Sequence, residues 1–330
     1  MEDTMSDKIM VSVMCTAFNH EEYISRALDS MVNQKTDFAY EILVNDDVSS
    51  DSTADIIRDY AARYPDKIRA FFPEKNLYSQ NIDVYYHTFF PNARGKYVAF
   101  CEGDDYWCDE EKLQRQVDFL EAHPEYSACV HNTCLHYCDN SQSDSLLVER
   151  SEDMDIGLEL VLGGMHNAWH TSSLVAKTEV LASPPDYYNI ASEHGFGDFP
   201  YGLMVRNAGP VRYLNRTMSV YRLNSNQGAW SAGFYYVAQK RIHFLEGMVK
   251  MLEAFRNHVH DEKTAALVDE SIDDALFLKY NAEGNAKMML QPRFKKVFGQ
   301  RPLKFRLKIY LNYALPGLQK LYRKLKGYEN

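Results

Sequence analysis

Apolar runs alternate with amphipathic stretches from residue 9 onward. IMVSVMC precedes EEYISRALDSMVNQ, YEILVN precedes STADIIRDYAARY, IRAFF precedes a looser segment, and KYVAFC precedes EKLQRQVDFLEAH. Runs of this length, separated by segments of helical spacing, predict βαβ units around a mainly parallel sheet covered on both faces. Ser52 with Asp55 three residues on, and Asp109, Glu110 and Glu111 ahead of Leu113, mark two helix starts. Residues 138–155 are polar and aperiodic, which predicts a loop or hinge. Beyond it the pattern predicts a strand at 169–176, a helix at 198–208, a strand at 211–221 and long helices near 232–258 and 262–290. No internal repeat or low-complexity tract interrupts the chain.

The expected organisation is an α/β domain over 1–230, with halves at 1–137 and 156–230, followed by a helical region over 231–330. A 330-residue chain with 45% hydrophobic residues can bury a core of that size. Charge separates the parts further. The formal net charge is -10, yet residues 291–330 carry eleven Lys or Arg against the single acid Glu329, which leaves 25 basic and 45 acidic groups in residues 1–290. The body should therefore repel nucleic acid, whereas the tail should attract an anionic surface. Leu303, Leu307, Tyr310, Leu311 and Ala314, then Leu318, Leu321, Tyr322 and Leu325 after Pro316-Gly317, fall at helical spacing. Residues 301–328 thus read either as helices packed on the body or as a contact with a membrane surface.

The start, MEDTMSDK, is polar, and no run of 18 apolar residues follows. The expectation is a cytoplasmic protein, at most peripheral on the inner face of the membrane. Six cysteines in a chain this long make no disulfide framework. CVHNTCLHYC has zinc-like ligands, but an extended 128–136 would turn Cys129 and His131 to one face and Cys134 and His136 to the other, with Cys138 beyond. Buried thiols and ordinary histidines are the expected reading.

Chemistry concentrates where strands end. Asp46 and Asp47 follow YEILVN, and Glu102, Asp104 and Asp105 follow KYVAF. Ligands of open parallel sheets bind beyond the carboxyl ends of strands, and crowded carboxylates call for a positive partner. Hard divalent cations such as Mg²⁺ or Mn²⁺ take oxygen ligands and keep positions open for phosphate, so the two clusters suggest a nucleotide-diphosphate site. For DDVSSDST a polar turn leading into a helix cap is an equal alternative. EGDDYW, three acids spaced by one glycine and followed by aromatics, makes a poor solvated surface.

These three segments, VSVMCTAFNHEEYISRALDSMVNQ, YEILVNDDVSSDST and ARGKYVAFCEGDDYWCDEEKLQRQVDFLEAHPE, resemble in order and separation the family two glycosyltransferases of the GT-A fold. The resemblance covers about residues 9–222. It implies a Rossmann-like nucleotide-binding half merged with an acceptor half, and inverting transfer of a sugar from a nucleotide-diphosphate donor, a UDP-sugar in the first instance, to a hydroxyl of a glycan or lipid-linked saccharide. It implies that Thr16, Phe18 and Asn19 line the donor pocket, with Phe18 where many relatives have tyrosine. Asp47, Asp46 and Asn76 would contact base or ribose. Asp105 would ligate Mn²⁺ or Mg²⁺ directly, Asp104 would hold ribose or the ion's water, and Glu102 would stand behind them. ASEHGFGDFPYGLMVRNAG resembles the segment carrying the general base, which implies Asp198 as the base, although its place at a helix start also fits an N-cap. Gly197 replaces a frequent glutamate there, so Glu193 or His194 is a further candidate for base or acceptor contact. Arg222 would reach the diphosphate, Trp230 would flank the sugar, and Trp169 would either stack on a sugar or fill core. A nucleotidyltransferase is an alternative, disfavoured because CTAFNHEEY lacks a glycine-rich basic loop. A non-catalytic carbohydrate-binding subunit is another, disfavoured by Asp104, Asp105 and Asp198 occurring together.

Overall fold

The computed structural model describes residues 8–194, 197–223 and 238–315, which fall into two compact units. The first runs to Ser192 and resumes with 197–223; the second takes Glu193 and His194 and the residues from 238 onward.

The first unit follows the alternation of the sequence: β1 (Val11–Ala17), α1 (Ile24–Val32), β2 (Tyr40–Asp46), α2 (Thr53–Arg63), β3 (Ile68–Phe71), β4 (Tyr97–Phe100), β5 (Tyr106–Trp107) and α3 (Lys112–Ala122). Then come β6 (Ala128–Tyr137), β7 (Ser145–Leu146), β8 (Met154–Asp155), β9 (Val175–Lys177), α4 (Phe199–Ala208) and β10 (Val211–Leu223). All but the two short strands β7 and β8 lie in the order β3-β2-β1-β4-β9-β6-β10-β5. β3, β2, β1 and β4 pair in parallel, as do β6 and β10. Every position of β2 and β4 is buried, as helices on both faces require. Val13, Ile42, Val44, Ile24 and Leu28 belong to one core cluster and are wholly inaccessible. Each such side chain contributes roughly 1.5–3 kcal/mol.

Two differences from the sequence pattern have local causes. The strand expected at 169–176 shrinks to β9, because Thr171–Ser173 turns as a short 3₁₀ helix. There Ser173 Oγ donates to the His170 carbonyl at 2.7 Å and the Ser172 amide to His170 Nδ1 at 3.3 Å, local bonds that compete with a ladder. β9 then runs antiparallel between β4 and β6. At α2 the helix begins where expected, but Ser52 makes no side-chain cap; Asp51 Oδ1 accepts the Thr53 amide at 2.9 Å instead. β5 is anchored by Trp107, whose indole donates to the Ser172 carbonyl at 3.0 Å and whose ring lies 4.2 Å from the buried Lys112 ammonium.

The second unit is helical: α5 (Ala238–Arg256), α6 (Glu262–Glu283), short helices at Ala286–Met289 and Lys295–Gln300, and α7 (Leu303–Ala314). Asp261 caps α6 by accepting the Thr264 amide at 2.8 Å, and Gly284 at φ 72° ends it in the left-handed turn that glycine favours. Phe277, Met289, Phe294, Val297 and Ile309 form its core cluster. The expected helix start at 232–237 and the tail segment 316–328 lie outside the described residues.

Candidate active site

β1, β2 and β4 end on the same edge of the sheet, because Ala17 pairs with Asp46 and Met14 with Phe100 in parallel register. The loops leaving this edge are laced together. Asn19, at φ 55°, accepts the Ser50 amide at 2.8 Å through its side chain, and its own amide donates to Ser49 Oγ at 2.8 Å. Asp47 uses both carboxylate oxygens on backbone, accepting the Leu77 amide at 2.6 Å and the Tyr78 amide at 3.1 Å, while Asn76 donates to the Asp47 carbonyl at 2.7 Å. Both residues thus fasten the loop after β3. Val48 sits at φ 65°, a conformation that costs a β-branched residue about 1–3 kcal/mol. Asp46 is buried, with Oδ2 accepting the Ser49 amide at 3.1 Å and Oδ1 lacking a partner among the described residues. Phe18 stands 47% exposed at the mouth of this edge, and the Thr16 hydroxyl lies beside the buried Tyr85 phenol. DDVSSDST is therefore both a structural turn and a loop with one open acid.

The acid-rich loop after β4 is threaded tightly through this edge. The Gly103 amide donates to the Thr16 carbonyl at 2.8 Å, and a Cβ on Gly103 would stand 2.9 Å from His20 Nδ1 and Ile24 Cδ1 and 3.1 Å from that carbonyl oxygen. Gly103→Ala is expected to keep the fold but lower stability by about 1–3 kcal/mol, and to cut turnover at least about tenfold by displacing the acids. Unchanged melting and unchanged kcat/KM would show that the packing tolerates a methyl group.

The side chain of Asp104 is 42% exposed, with its carboxylate 3.9 Å from His20 Nε2. Asp105 is 1% exposed; its Oδ1 accepts the Arg222 amide at 3.0 Å and its Oδ2 lies 3.8 Å from His170 Nδ1. The more accessible of the two acids is Asp104, because β10 closes over Asp105. Arg222 is fixed to this loop as well. Its Nη1 donates to the Asp104 carbonyl at 2.6 Å and its guanidinium lies 4.6 Å from the centre of the Tyr106 ring. His170 stacks on Tyr221 at 4.2 Å.

Two glutamates show what these acids lack. Glu41 is fully buried at the far end of β1 and β2; burial pushes its carboxyl up, but bonds from Arg94, Ser12 and Arg69 outweigh this and hold it below the ordinary value. Glu102 has no such partners: its Oε2 is buried without a hydrogen bond among the described residues, and burial, then the Asp104 charge, push it up to about 7. Burial, then Asp104 and Glu102, likewise push Asp105 well above the carboxylate range. Glu41 is a satisfied structural acid, whereas Glu102 and Asp105 are short of positive charge. Among the described residues no three His, Cys, Asp or Glu side chains form a ready-made metal cage. In β6, Cys129 and His131 are wholly buried, while Cys134 and His136, and Cys138 just after the strand, are partly exposed, with His136 Nδ1 2.9 Å from Asp144 Oδ1.

Asp198 stands immediately before α4 and its side chain makes no cap bond to the helix. Instead Oδ2 accepts the Thr171 hydroxyl at 3.4 Å, and its charge acts on both Glu102 and Tyr221, which places it with the acid loop. Trp169 is 1% exposed and fills core, so it presents no face to a sugar. Glu193 and His194 fall in the second unit, where His194 Nδ1 lies 3.1 Å from His243 Nε2. Trp230 lies outside the described residues. Sequence reasoning missed His20, His170 and Tyr221 at the acid loop. The position of His20 directly after the β1 motif was a usable signal; His170 and Tyr221 join the site only through the turn at Thr171–Ser173 and the pairing of β10.

Comparison with known proteins agrees with this fold. Residues 12–149 match the model for glycosyl transferase family 2. The uncharacterized protein Rv1520 of Mycobacterium tuberculosis strain H37Rv is 34% identical over 259 residues, which cover 77% of this chain and 70% of that protein. The UDP-Glc:alpha-D-GlcNAc-diphosphoundecaprenol beta-1,3-glucosyltransferase WfaP of Escherichia coli is 31% identical over 112 residues, 34% of this chain and 41% of that one. Among solved structures, S. aureus TarS 1–349 in complex with UDP-GlcNAc superposes with a TM-score of 0.57 at 17% identity, covering 92% of this chain and 79% of that chain. At that identity the likeness speaks for the fold alone.

Proposed function

From a chain that belongs to glycosyl transferase family 2, and is thereby a glycosyltransferase, we propose inverting transfer of a sugar from a UDP-sugar to a hydroxyl of a glycan or lipid-linked saccharide. The observation that carries this reading is the acid loop itself: Glu102 with a buried orphan oxygen, Asp105 held well above the carboxylate range despite Arg222, and Asp104 open to solvent, next to Asp198. A donor set of hard carboxylate oxygens suits Mn²⁺ or Mg²⁺ rather than a soft metal. Asp104 and Asp105 would hold the cation, with Glu102 behind them. When bound, it offsets the negative charge that develops on the departing diphosphate.

The remaining chemistry falls to the chain. The exposed ring of Phe18 offers the uracil a stacking face, and Asp46, through its free Oδ1, accepts from base or ribose. Asp47, Asn76 and Asn19 keep the loops around that pocket in place. Arg222 holds the acid loop from β10, where its charge also faces the diphosphate. Asp198 takes the proton of the acceptor hydroxyl as oxygen attacks the anomeric carbon. The bond from that carbon to the diphosphate oxygen breaks on the opposite side, and its electron pair leaves with UDP. The Thr171 hydroxyl aims the carboxylate during this step. An aspartate with an ordinary pKa of about 3.9 is ionised at neutral pH and accepts the proton only as the new bond forms.

The test is a thermal-shift panel of nucleotide-sugars with and without Mn²⁺. A UDP-sugar with Mn²⁺ should raise the melting temperature, since a ligand at 100 times its Kd adds about 2.7 kcal/mol. The same sample should release UDP when acceptor is added. Release of pyrophosphate instead would assign nucleotidyl transfer and overturn the reading, as would equal shifts with and without the metal.

A further inference from the structure

The last described helix, α7, hides one side and bares another. Phe305 and Ile309, four residues apart, pack with Phe277, Phe294 and Phe298 in the core of the second unit. At 3.6 residues per turn, Leu303, Leu307, Tyr310, Leu311 and Ala314 share the opposite side. Leu303 is 64% exposed, Leu307 and Tyr310 53% and Leu311 60%. Scattered exposed leucines are ordinary, but a continuous stripe of them is not. Lys304 and Lys308 border one edge of the stripe, and Arg306 and Tyr313 border the other. Among the described residues Lys304 and Lys308 form no ion pair, whereas Arg293, Lys296 and Arg301 pair with Asp273, Glu270 and Asp274 of α6. Arg293, Lys296 and Arg301 are thus neutralised by α6, whereas Lys304 and Lys308 beside the stripe have no acid among the described residues to do the same.

We propose that this face of α7 lies on an anionic lipid surface, with the leucines and Tyr310 entering the headgroup boundary and Lys304 and Lys308 meeting lipid phosphates. The helix packs on its unit and faces lipid at once, so the two readings of the tail are not exclusive. No helix among the described residues is long and apolar enough to cross a membrane, which fits a helix lying in the surface plane. Charge selects lipid over the other occupants. A second copy docked face to face would set Lys304 and Lys308 against themselves. Residues 316–330 bring Lys320, Arg323, Lys324 and Lys326 against Glu329 alone, so covering the stripe with them would also crowd like charges. An anionic bilayer matches both apolar stripe and basic borders.

This proposal goes beyond the sugar-transfer reading and does not need it. The test is co-sedimentation of the full chain with vesicles of phosphatidylglycerol in phosphatidylcholine and with vesicles of phosphatidylcholine alone. Partitioning onto the anionic vesicles should be at least about tenfold stronger and should weaken with salt. Leu307→Glu with Leu311→Glu, and separately Lys304→Glu with Lys308→Glu, should each cost about tenfold in partitioning. Circular dichroism, melting temperature and UDP-sugar binding should be unchanged in both. Wild-type protein that ignores the vesicles, or variants that sediment like wild type, would overturn the proposal. So would a dimer in light scattering that Leu307→Glu dissolves, or vesicle binding that appears only after truncation at Leu315. Donor binding is read in the same samples, so a failed sugar-transfer reading and a failed membrane contact give separate signatures.

Discussion

Replacing Asp198 by asparagine is expected to lower kcat by roughly 10³-fold while donor affinity and melting temperature stay near wild type. Asparagine keeps the shape and can still accept the Thr171 hydroxyl, so the 3.4 Å contact and the start of α4 should survive. What disappears is an acceptor for the proton of the attacking hydroxyl. The loss should fall on kcat more than on the KM for donor, because the role proposed for Asp198 is toward the acceptor hydroxyl. Thr171→Val should show a smaller loss of the same kind, since it removes only the group that aims the carboxylate. A rapid-quench assay with donor in excess measures this. An Asp198→Asn protein turning over within a few-fold of wild type would move the base elsewhere.

Asp104→Asn should be as severe for a different reason. It removes the accessible carboxylate of the acid loop, so metal-dependent donor binding should vanish and kcat/KM should fall about 10²- to 10³-fold. A pH signature accompanies it. Without a cation, Glu102 in the folded protein holds its proton up to about pH 7, whereas in the unfolded chain it lets go near 4.5. The folded state therefore binds more protons across that window, and stability falls as pH rises through it. Asp105, also raised, adds to the same slope. Added Mn²⁺ should flatten it by supplying the missing positive charge, and Glu102→Gln should reduce it by mimicking the protonated acid. Melting temperature measured from pH 4.5 to 7.5, with and without Mn²⁺, reads this directly. A flat profile in the metal-free protein would remove the claim that these acids lack a partner.

Much of the fold was legible because its signal is local. β1, β2 and β4 are short apolar runs buried on both faces, and α1, α2 and α3 carry helical spacing. The acid loop was legible too, since like charges behind an apolar run have few explanations. Other features depend on contacts far apart in sequence. The Arg222 amide, 117 positions away, covers one oxygen of Asp105, a contact no local pattern encodes. Asp47 holds the Leu77 and Tyr78 amides with its two oxygens, a bond pattern no periodicity encodes. Trp169 and His170 are neighbours with opposite fates: a turn stabilised by Ser173 sends the indole into core and leaves the imidazole against Tyr221.

The carboxylates after β4 are proposed to share a divalent cation with a nucleotide diphosphate. Anomalous diffraction from crystals soaked in Mn²⁺ and UDP should show a single strong peak between the Asp104 carboxylate and the diphosphate, absent in Asp104→Asn crystals. UDP bound beside Phe18 with no anomalous density at the acid loop, or manganese lodged at some other acidic patch, would contradict it.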